Sequence, residues 1–316
     1  MTKRRISKQQ SLRIAKRDLD LDKTIHEGLV ITRYSRHVHV EDAEGRSVHC
    51  AIRPNIDSLV AGDRVIWLPE GPAQGLVLSV CPRHSVLGRP NAHGQIKPIA
   101  ANITQIMVVV APLPLVSWRL LDSYLIMAEH LKIPVYIVLN KTDLETTDIR
   151  KDLLQIYEPL GYPLLFTNMA KDEDIKSLHK ALRNQTSVFV GQSGVGKSSI
   201  ITRLLPHTSA QIQTGAISAQ SQLGCHTTSN SHLYHIPSGG ALIDSPGVRD
   251  MSLWAMSQSD LALGYREFRP YAAQCKFRNC SHENTPGCAV LNAVKNDQIS
   301  LKRYESYVRI LHENLK

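Results

Sequence analysis

The 316-residue chain has no run of about 18 apolar residues, the length a membrane-spanning helix needs. Its richest stretch, Ile106 to Val116, is broken by Pro112 and Pro114, so no membrane partner is expected. Cysteine is scarce as well. Six residues cannot staple a chain of this size, and three of them crowd into one short segment. That usage points to a reducing compartment, the cytoplasm, and to a metal rather than to disulfides. Acidic residues are in deficit, 28 against 37 lysines and arginines, for a net charge of +9 and a pI near 9.3. The excess favours a polyanionic partner such as nucleic acid. Internal repeats and low-complexity segments are missing too. Met1 to Arg17 carries seven lysines and arginines around no apolar core, which does not fit a signal peptide. It reads as a basic tail over residues 1–22, either solvated or in contact with RNA.

What remains is ordinary for a globular protein, 42% hydrophobic and 21% charged, with enough chain for two or three domains. From residue 23 to 88 short alternating runs predict about five strands. Among them are Gly28–Ile31, Val38–Val40, Val65–Leu68 and Leu76–Val80, punctuated by Gly45, Gly62-Asp63 and Gly71-Pro72. Five such strands suggest a small closed barrel of the OB or SH3-like kind. Residues 89–250 then alternate buried strands with helices. Strands are expected at Ile103–Val110, Pro134–Leu139, Pro163–Phe166 and Thr186–Val190, and helices at Trp118–His130, Asp148–Leu160 and Asp172–Arg183. Alternation of this kind predicts a parallel sheet wrapped by helices. Residues 251–316 turn helical, and Leu301, Tyr304, Val308, Leu311 and Leu315 mark one apolar face of a last helix.

Gly191-Gln192-Ser193-Gly194-Val195-Gly196-Lys197-Ser198-Ser199 fits G-x-x-x-x-G-K-[ST], between an apolar strand and the start of a helix. Glycines let the backbone curl so that successive N–H groups face an anion at a helix N-terminus. Lys197 would reach the β- and γ-phosphates, and Ser198 would bind Mg²⁺. Asn140-Lys141-Thr142-Asp143 follows a second buried strand. A carboxylate there can accept from guanine N1–H and the exocyclic amine, a donor pair adenine lacks. Asn140 and the Lys141 stem would touch the base edge and cover the ring. Asp244-Ser245-Pro246-Gly247 ends a third short strand, where Asp244 would hold Mg²⁺ through water and the Gly247 N–H would sense the γ-phosphate. Between these sites, Thr227 or Thr228 is the candidate hydroxyl to cap Mg²⁺. Together the motifs imply GTP and GDP as ligands. A small-molecule kinase would need an acceptor site that the sequence does not display. An RNA-binding factor with a vestigial nucleotide site would not keep Lys197, Ser198 and Asp244.

The motifs resemble those of the GTPase superfamily in the wrong order. Asn140–Asp143 precedes the phosphate loop, and no second N-K-x-D follows Asp250. The chain therefore looks like a circularly permuted GTPase, which a fold with neighbouring termini tolerates. Phe166–Lys171 stands where another base-contacting loop belongs and matches poorly. Near the C-terminus, Cys275-x4-Cys280-x-His282-x5-Cys288 offers four ligands suited to one tetrahedral, structural Zn²⁺.

Barrel, permuted GTPase domain, the His-Thr-Thr of residues 226–228 and the Cys/His segment together resemble the bacterial small-ribosomal-subunit-dependent GTPases of the RsgA or YjeQ type. Ser229 departs from that family's usual third threonine, and Asn284-Thr285-Pro286 from a more acidic stretch. The resemblance implies an OB-fold and slow GTP hydrolysis stimulated by the 30S subunit. It also implies contact with 16S rRNA and a role in late maturation of that subunit, as a monomer. Another permuted GTPase acting on a different ribosomal particle is the alternative. Where many GTPases place a water-orienting glutamine after Asp-x-x-Gly, this chain has Val248. His226, beside Thr227 and Thr228, is the nearest candidate to take that role.

Overall fold

Strand alternation in the first hundred residues becomes a closed barrel. The computed structural model describes residues 24–56, 58–90, 96–205, 231–245 and 256–314. Five strands, β1 (His26–Tyr34), β2 (His37–Glu41), β3 (Ser47–Ile52), β4 (Arg64–Gly71) and β5 (Gln74–Val80), build the barrel. β1 pairs with β2 and β2 with β3 antiparallel, β3 with β5 parallel, β5 with β4 antiparallel, and β4 returns to β1. This closure leaves no free edge, as in an OB-fold. Inward positions such as Val30, Val38, Val40, Val48, Val65 and Val77 fill it around Trp67. A side chain at Gly75 would meet the Trp67 ring at 2.6 Å, so the bare backbone there makes room for the indole. Asp63 is fully buried and holds Arg83 with both oxygens, at 2.6 and 2.8 Å, while accepting from Val60 N–H.

The described residues divide into two compact units. The first contains the barrel, a hairpin of β6 (Val86–Pro90) and β7 (Ile96–Ala101), and strands further along the chain. β11 (Thr186–Val190) pairs parallel with β13 (Ala241–Asp244) over its first three residues, and β12 (His232–His235) pairs antiparallel with β13 and touches β1 at Thr32. The hairpin and β12 were not anticipated from the sequence.

The second unit contains β8 (Gln105–Val110), β9 (Val135–Asn140) and β10 (Leu164–Thr167), paired in parallel in the order β10-β9-β8. Helix α1 (Trp118–Leu131) is capped by the Ser117 hydroxyl and closed by Lys132 in the left-handed region. Helix α2 (Thr147–Asp152) loosens into one π turn and one 3₁₀ turn before β10, where the sequence predicted a single helix. Helices α3 (Asp172–Leu182) and α4 (Lys197–Leu204) follow. The C-terminal helices α5 (Gln258–Leu263), α6 (Arg269–Ala272), α7 (Ala289–Lys295) and α8 (Leu301–Asn314) enclose a core of Leu261, Tyr265, Phe268, Val290, Tyr307 and Leu311, into which Ile126 of α1 inserts.

The buried face of α8 includes Leu311, with Tyr304 and Val308 packed against the same core as read in the sequence, but it is wider than that reading and leaves out Leu301. Leu301 is 59% exposed, whereas Arg303, Ser306, Tyr307, Ile310 and Leu311 are buried. Arg303 lies in ion pairs with Asp122 of α1 and with Glu267, at 2.7 Å to the latter, and its guanidinium stacks 4.4 Å from the Tyr265 ring. A charged residue and a serine on the core-facing side hid the full width of that face from hydrophobic periodicity. Among the described residues no helix is long and apolar enough to cross a membrane.

Candidate functional site

The phosphate loop leaves the end of β11 under tight geometric control. Gly191 has φ near +139°, and a Cβ on it would come within 2.2 Å of the Val109 carbonyl. Only glycine can pass that close to β8. Gly194 and Gly196 are also in the left-handed half of backbone space, and Lys197 opens α4. The Lys197 side chain is buried and folds back on the loop, its Nζ donating to the carbonyls of Gly191 and Gln192 at 2.6 Å each. Ser198 and Ser199 occupy the next positions of the helix, and Val195 packs into the core.

The end of β9 closes on this loop. Asn140 is buried and donates from Nδ2 to the Val195 carbonyl at 3.0 Å, while its Oδ1 accepts from the Thr167 hydroxyl at 3.1 Å. Lys141 turns into the left-handed region and donates to the carbonyls of Gly194 (2.7 Å) and Leu113 (2.8 Å). Thr142 N–H binds the Thr167 carbonyl at 3.2 Å. Asp143 follows, exposed. The structure thus ties Asn140 and Lys141 to the loop itself, contacts the sequence reading did not name beside the base edge and ring it assigned to them. Asp143 is left as the group whose carboxylate faces solvent. The Gln192 side chain accepts from Ser117 N–H at 3.0 Å, which ties the loop to the start of α1. Thr167 and Ser117 escaped the sequence reading. Thr167 sits in the poorly matching Phe166–Lys171 segment, and the only hint was its place at a strand end.

Asp244 ends β13, 7% exposed, beside Ser245 at 3%. It lies across from His232 in the ladder. Burial, and secondarily His39, lower the His232 pKa to about 4. His226, Thr227, Thr228 and Gly247 lie outside the described residues.

A separate centre forms in the second unit. Single ligand atoms from Cys275, Cys280, His282 and Cys288 all lie within 4.8 Å of one another. Nδ1 of His282 stands 3.6 Å from Cys275 Sγ and 3.5 Å from Cys288 Sγ, and the two sulfurs are 3.9 Å apart. A tetrahedron with metal–sulfur bonds of about 2.3 Å has edges of about 3.8 Å, so the spacing fits one cation. The chain builds it economically. Cys288 is the N-cap of α7, and His282 takes a left-handed conformation that turns its ring inward between Phe268 and Tyr307. Its N–H and that of Leu291 point at Cys280 and Cys288 sulfurs, 3.4 Å each, an arrangement that favours thiolates.

Residues 80–254 match the sequence model of the RsgA GTPase family. The chain is 43% identical to the small ribosomal subunit biogenesis GTPase RsgA 1 of Vibrio parahaemolyticus, over 99% of this chain and 92% of that one. The crystal structure of YjeQ from Thermotoga maritima superposes with a TM-score of 0.75 at 30% identity, covering 92% of this chain and 99% of that one. That of YloQ, described as a circularly permuted GTPase, gives 0.71 at 26% identity, covering 94% and 97%.

Proposed function

The chain belongs to the RsgA GTPase family, and from that premise we propose that it hydrolyses GTP to GDP and phosphate on the 30S ribosomal subunit, whose late maturation it serves. It is a multidomain α/β protein with an OB-like barrel, a circularly permuted GTPase domain and a C-terminal helical domain bearing a Cys₃His cluster. The observation that carries the reading is the clasp between the two motifs, Asn140 on Val195 and Lys141 on Gly194. A base reader bonded directly to a phosphate loop makes recognition of the base and of the phosphates one structural event.

In this reading Asp143 accepts from the guanine edge. Asn140 and the Lys141 stem touch the base edge and cover the ring while tied to the loop, and Thr142 lies between them and Asp143 at the strand end. Gly191 to Ser199 wrap the phosphates, and Lys197 leaves its two loop carbonyls to meet the β- and γ-oxygens. Ser198, Asp244 and one of Thr227 and Thr228 are the residues that would hold Mg²⁺, which neutralises charge developing on the phosphates. Gly247 would sense the γ-phosphate, and His226 would orient water. These roles rest on motif position, as do a basic tail over 1–22 and domain limits at 23–88, 89–250 and 251–316. The Cys₃His set suits Zn²⁺ as a structural ion, since four protein ligands leave no open position. Contact with 16S rRNA and a cytoplasmic location, supported by the basic charge and the relatives' names, and a monomeric state complete the proposal.

GTP turnover measured alone, with purified 30S and with purified 50S subunits tests it. Acceleration by 30S only is expected. Acceleration by 50S instead would favour a different particle.

A further inference from the structure

In the first unit a cleft of about 500 Å³ opens beside the barrel, lined by β1, β4 and β12, by residues before β6 and after β7, and by the turns that lead into β11 and β13. Its wall is apolar at Leu29, Leu233 and Ala241. Among the described residues no aspartate or glutamate lines it; one acid, Glu41, is paired with the lining His235 at 2.9 Å. The polar side chains divide into braces and donors. Asn102 is a brace, donating to the Gly62 carbonyl at 2.8 Å and accepting from the His84 N–H at 3.0 Å. Thr104 is another, accepting from Thr186 N–H at 2.9 Å and donating to Gln185 Oε1 at 2.6 Å. That bond fixes the Gln185 amide with its oxygen engaged and its two N–H donors left over. Arg64, His84 and Asn184 are exposed around it, and no side-chain partner engages them among the described residues.

The lining therefore offers an excess of donors, two of them on the basic residues Arg64 and His84, beside apolar side chains, with no carboxylate among the described lining residues to answer them. Donors without an acceptor, gathered with the Arg64 guanidinium in one crevice, favour an arriving anion. We propose that this cleft binds a nucleotide through its phosphate, with Arg64 and His84 on the anion and the Gln185 and Asn184 amides on the attached nucleoside. The nucleotide comes either from an RNA strand, a source that rests on the ribosomal reading above, or from a free nucleoside monophosphate.

The experiment uses the full chain with GDP and Mg²⁺ occupying the phosphate loop. Binding of a fluorescein-labelled short uridine RNA is followed by anisotropy, and uridine monophosphate is tested as a second ligand and as competitor. Wild type is compared with Arg64→Glu, Gln185→Ala and the pair. Arg64 is exposed, so its variant should fold, and a urea midpoint checks both. The pair should weaken RNA about tenfold or more and lower the salt slope by about one, with uridine monophosphate competing in wild type. Loss confined to the free nucleotide identifies that source and still supports the cleft, even if 30S fails to stimulate turnover. Unchanged affinity for both ligands in the pair, or binding of neither by wild type, overturns the proposal whatever the 30S assay gives.

Discussion

Asp143 stands exposed while Asn140 and Lys141 are tied to the phosphate loop, and its carboxylate is the group proposed to choose the base. Asp143→Asn should weaken GTP by about tenfold or more, through loss of charge-assisted bonds, and admit xanthosine triphosphate, whose base offers a carbonyl where guanine has its amine. Nucleotide titration checks both halves. Unchanged GTP affinity with no xanthine binding would remove Asp143 from the role. A second residue-scale effect lies on the outer barrel face. His37, His39 and His49 cluster there, with ring centroids 4.7 Å apart for His37–His49 and 5.4 Å for His39–His49. Burial first, then His49 and His37, lower the His39 pKa from its ordinary 6.5. The unfolded chain then takes up a proton before the folded one as pH falls, so stability is full above about 6.5 and declines below it. His39→Asn should flatten that decline. Urea midpoints of both proteins above and below that pH decide the matter, and parallel pH profiles would rule it out.

At the scale of elements, the two clearest sequence signals, strand–loop–helix at Gly191 and the strand ending in Asn140, are found where they were expected. Their packing on one another was not legible, because Thr167, Ser117 and Leu113 act through backbone groups or short hydroxyls that carry no pattern. The barrel strands were visible through period-two alternation. The β6–β7 hairpin and β12 were not, since Val86–Pro90 and Ile96–Ala101 contain prolines and β12 is only four residues long. Helix α8 was seen with Tyr304, Val308 and Leu311 on the core, but Arg303 and Ser306 hid the rest of its buried face. That arginine packs the C-terminal helices against α1, held by Asp122 and Glu267. Burial pushes the Asp122 carboxyl up, against the pull of Arg303, so the pair stands or falls together. Arg303→Ala should cost about 3–5 kcal/mol by stranding two buried acids. Lysine should rescue little, because a single ammonium cannot replace a guanidinium fork that reaches both. Chemical denaturation reads the loss. At the neighbouring centre, Cys280→Ser should abolish stoichiometric zinc and loosen the C-terminal helices while nucleotide binding persists. Metal analysis of wild type without bound zinc would sink that assignment.

Across the whole molecule, order along the chain and net charge set the terms. The Asn140–Asp143 motif precedes the phosphate loop, and the chain runs on from Asp244 through α5 and α6 to the Cys275–Cys288 segment. A net charge of +9 makes association with a subunit partly a matter of counterion release, so affinity for 30S should fall as salt rises. Deleting residues 1–22 should reduce that slope if the tail meets RNA, and leave it unchanged if the tail is merely solvated. Catalysis poses the last question at this scale. Val248 has no hydrogen-bonding group to orient water, so turnover by the free protein should be slow and the subunit must supply order. His226 can accept from water through its imidazole and adjoins the threonine pair proposed to close over Mg²⁺. His226→Ala should therefore keep GTP affinity and 30S binding while losing most of the stimulated rate. Val248→Gln should raise the basal rate only modestly, because a side chain that can orient water does not by itself close the segment that holds it. Wild-type turnover by His226→Ala on the subunit would move the water-orienting group elsewhere, to a residue of the ribosome itself.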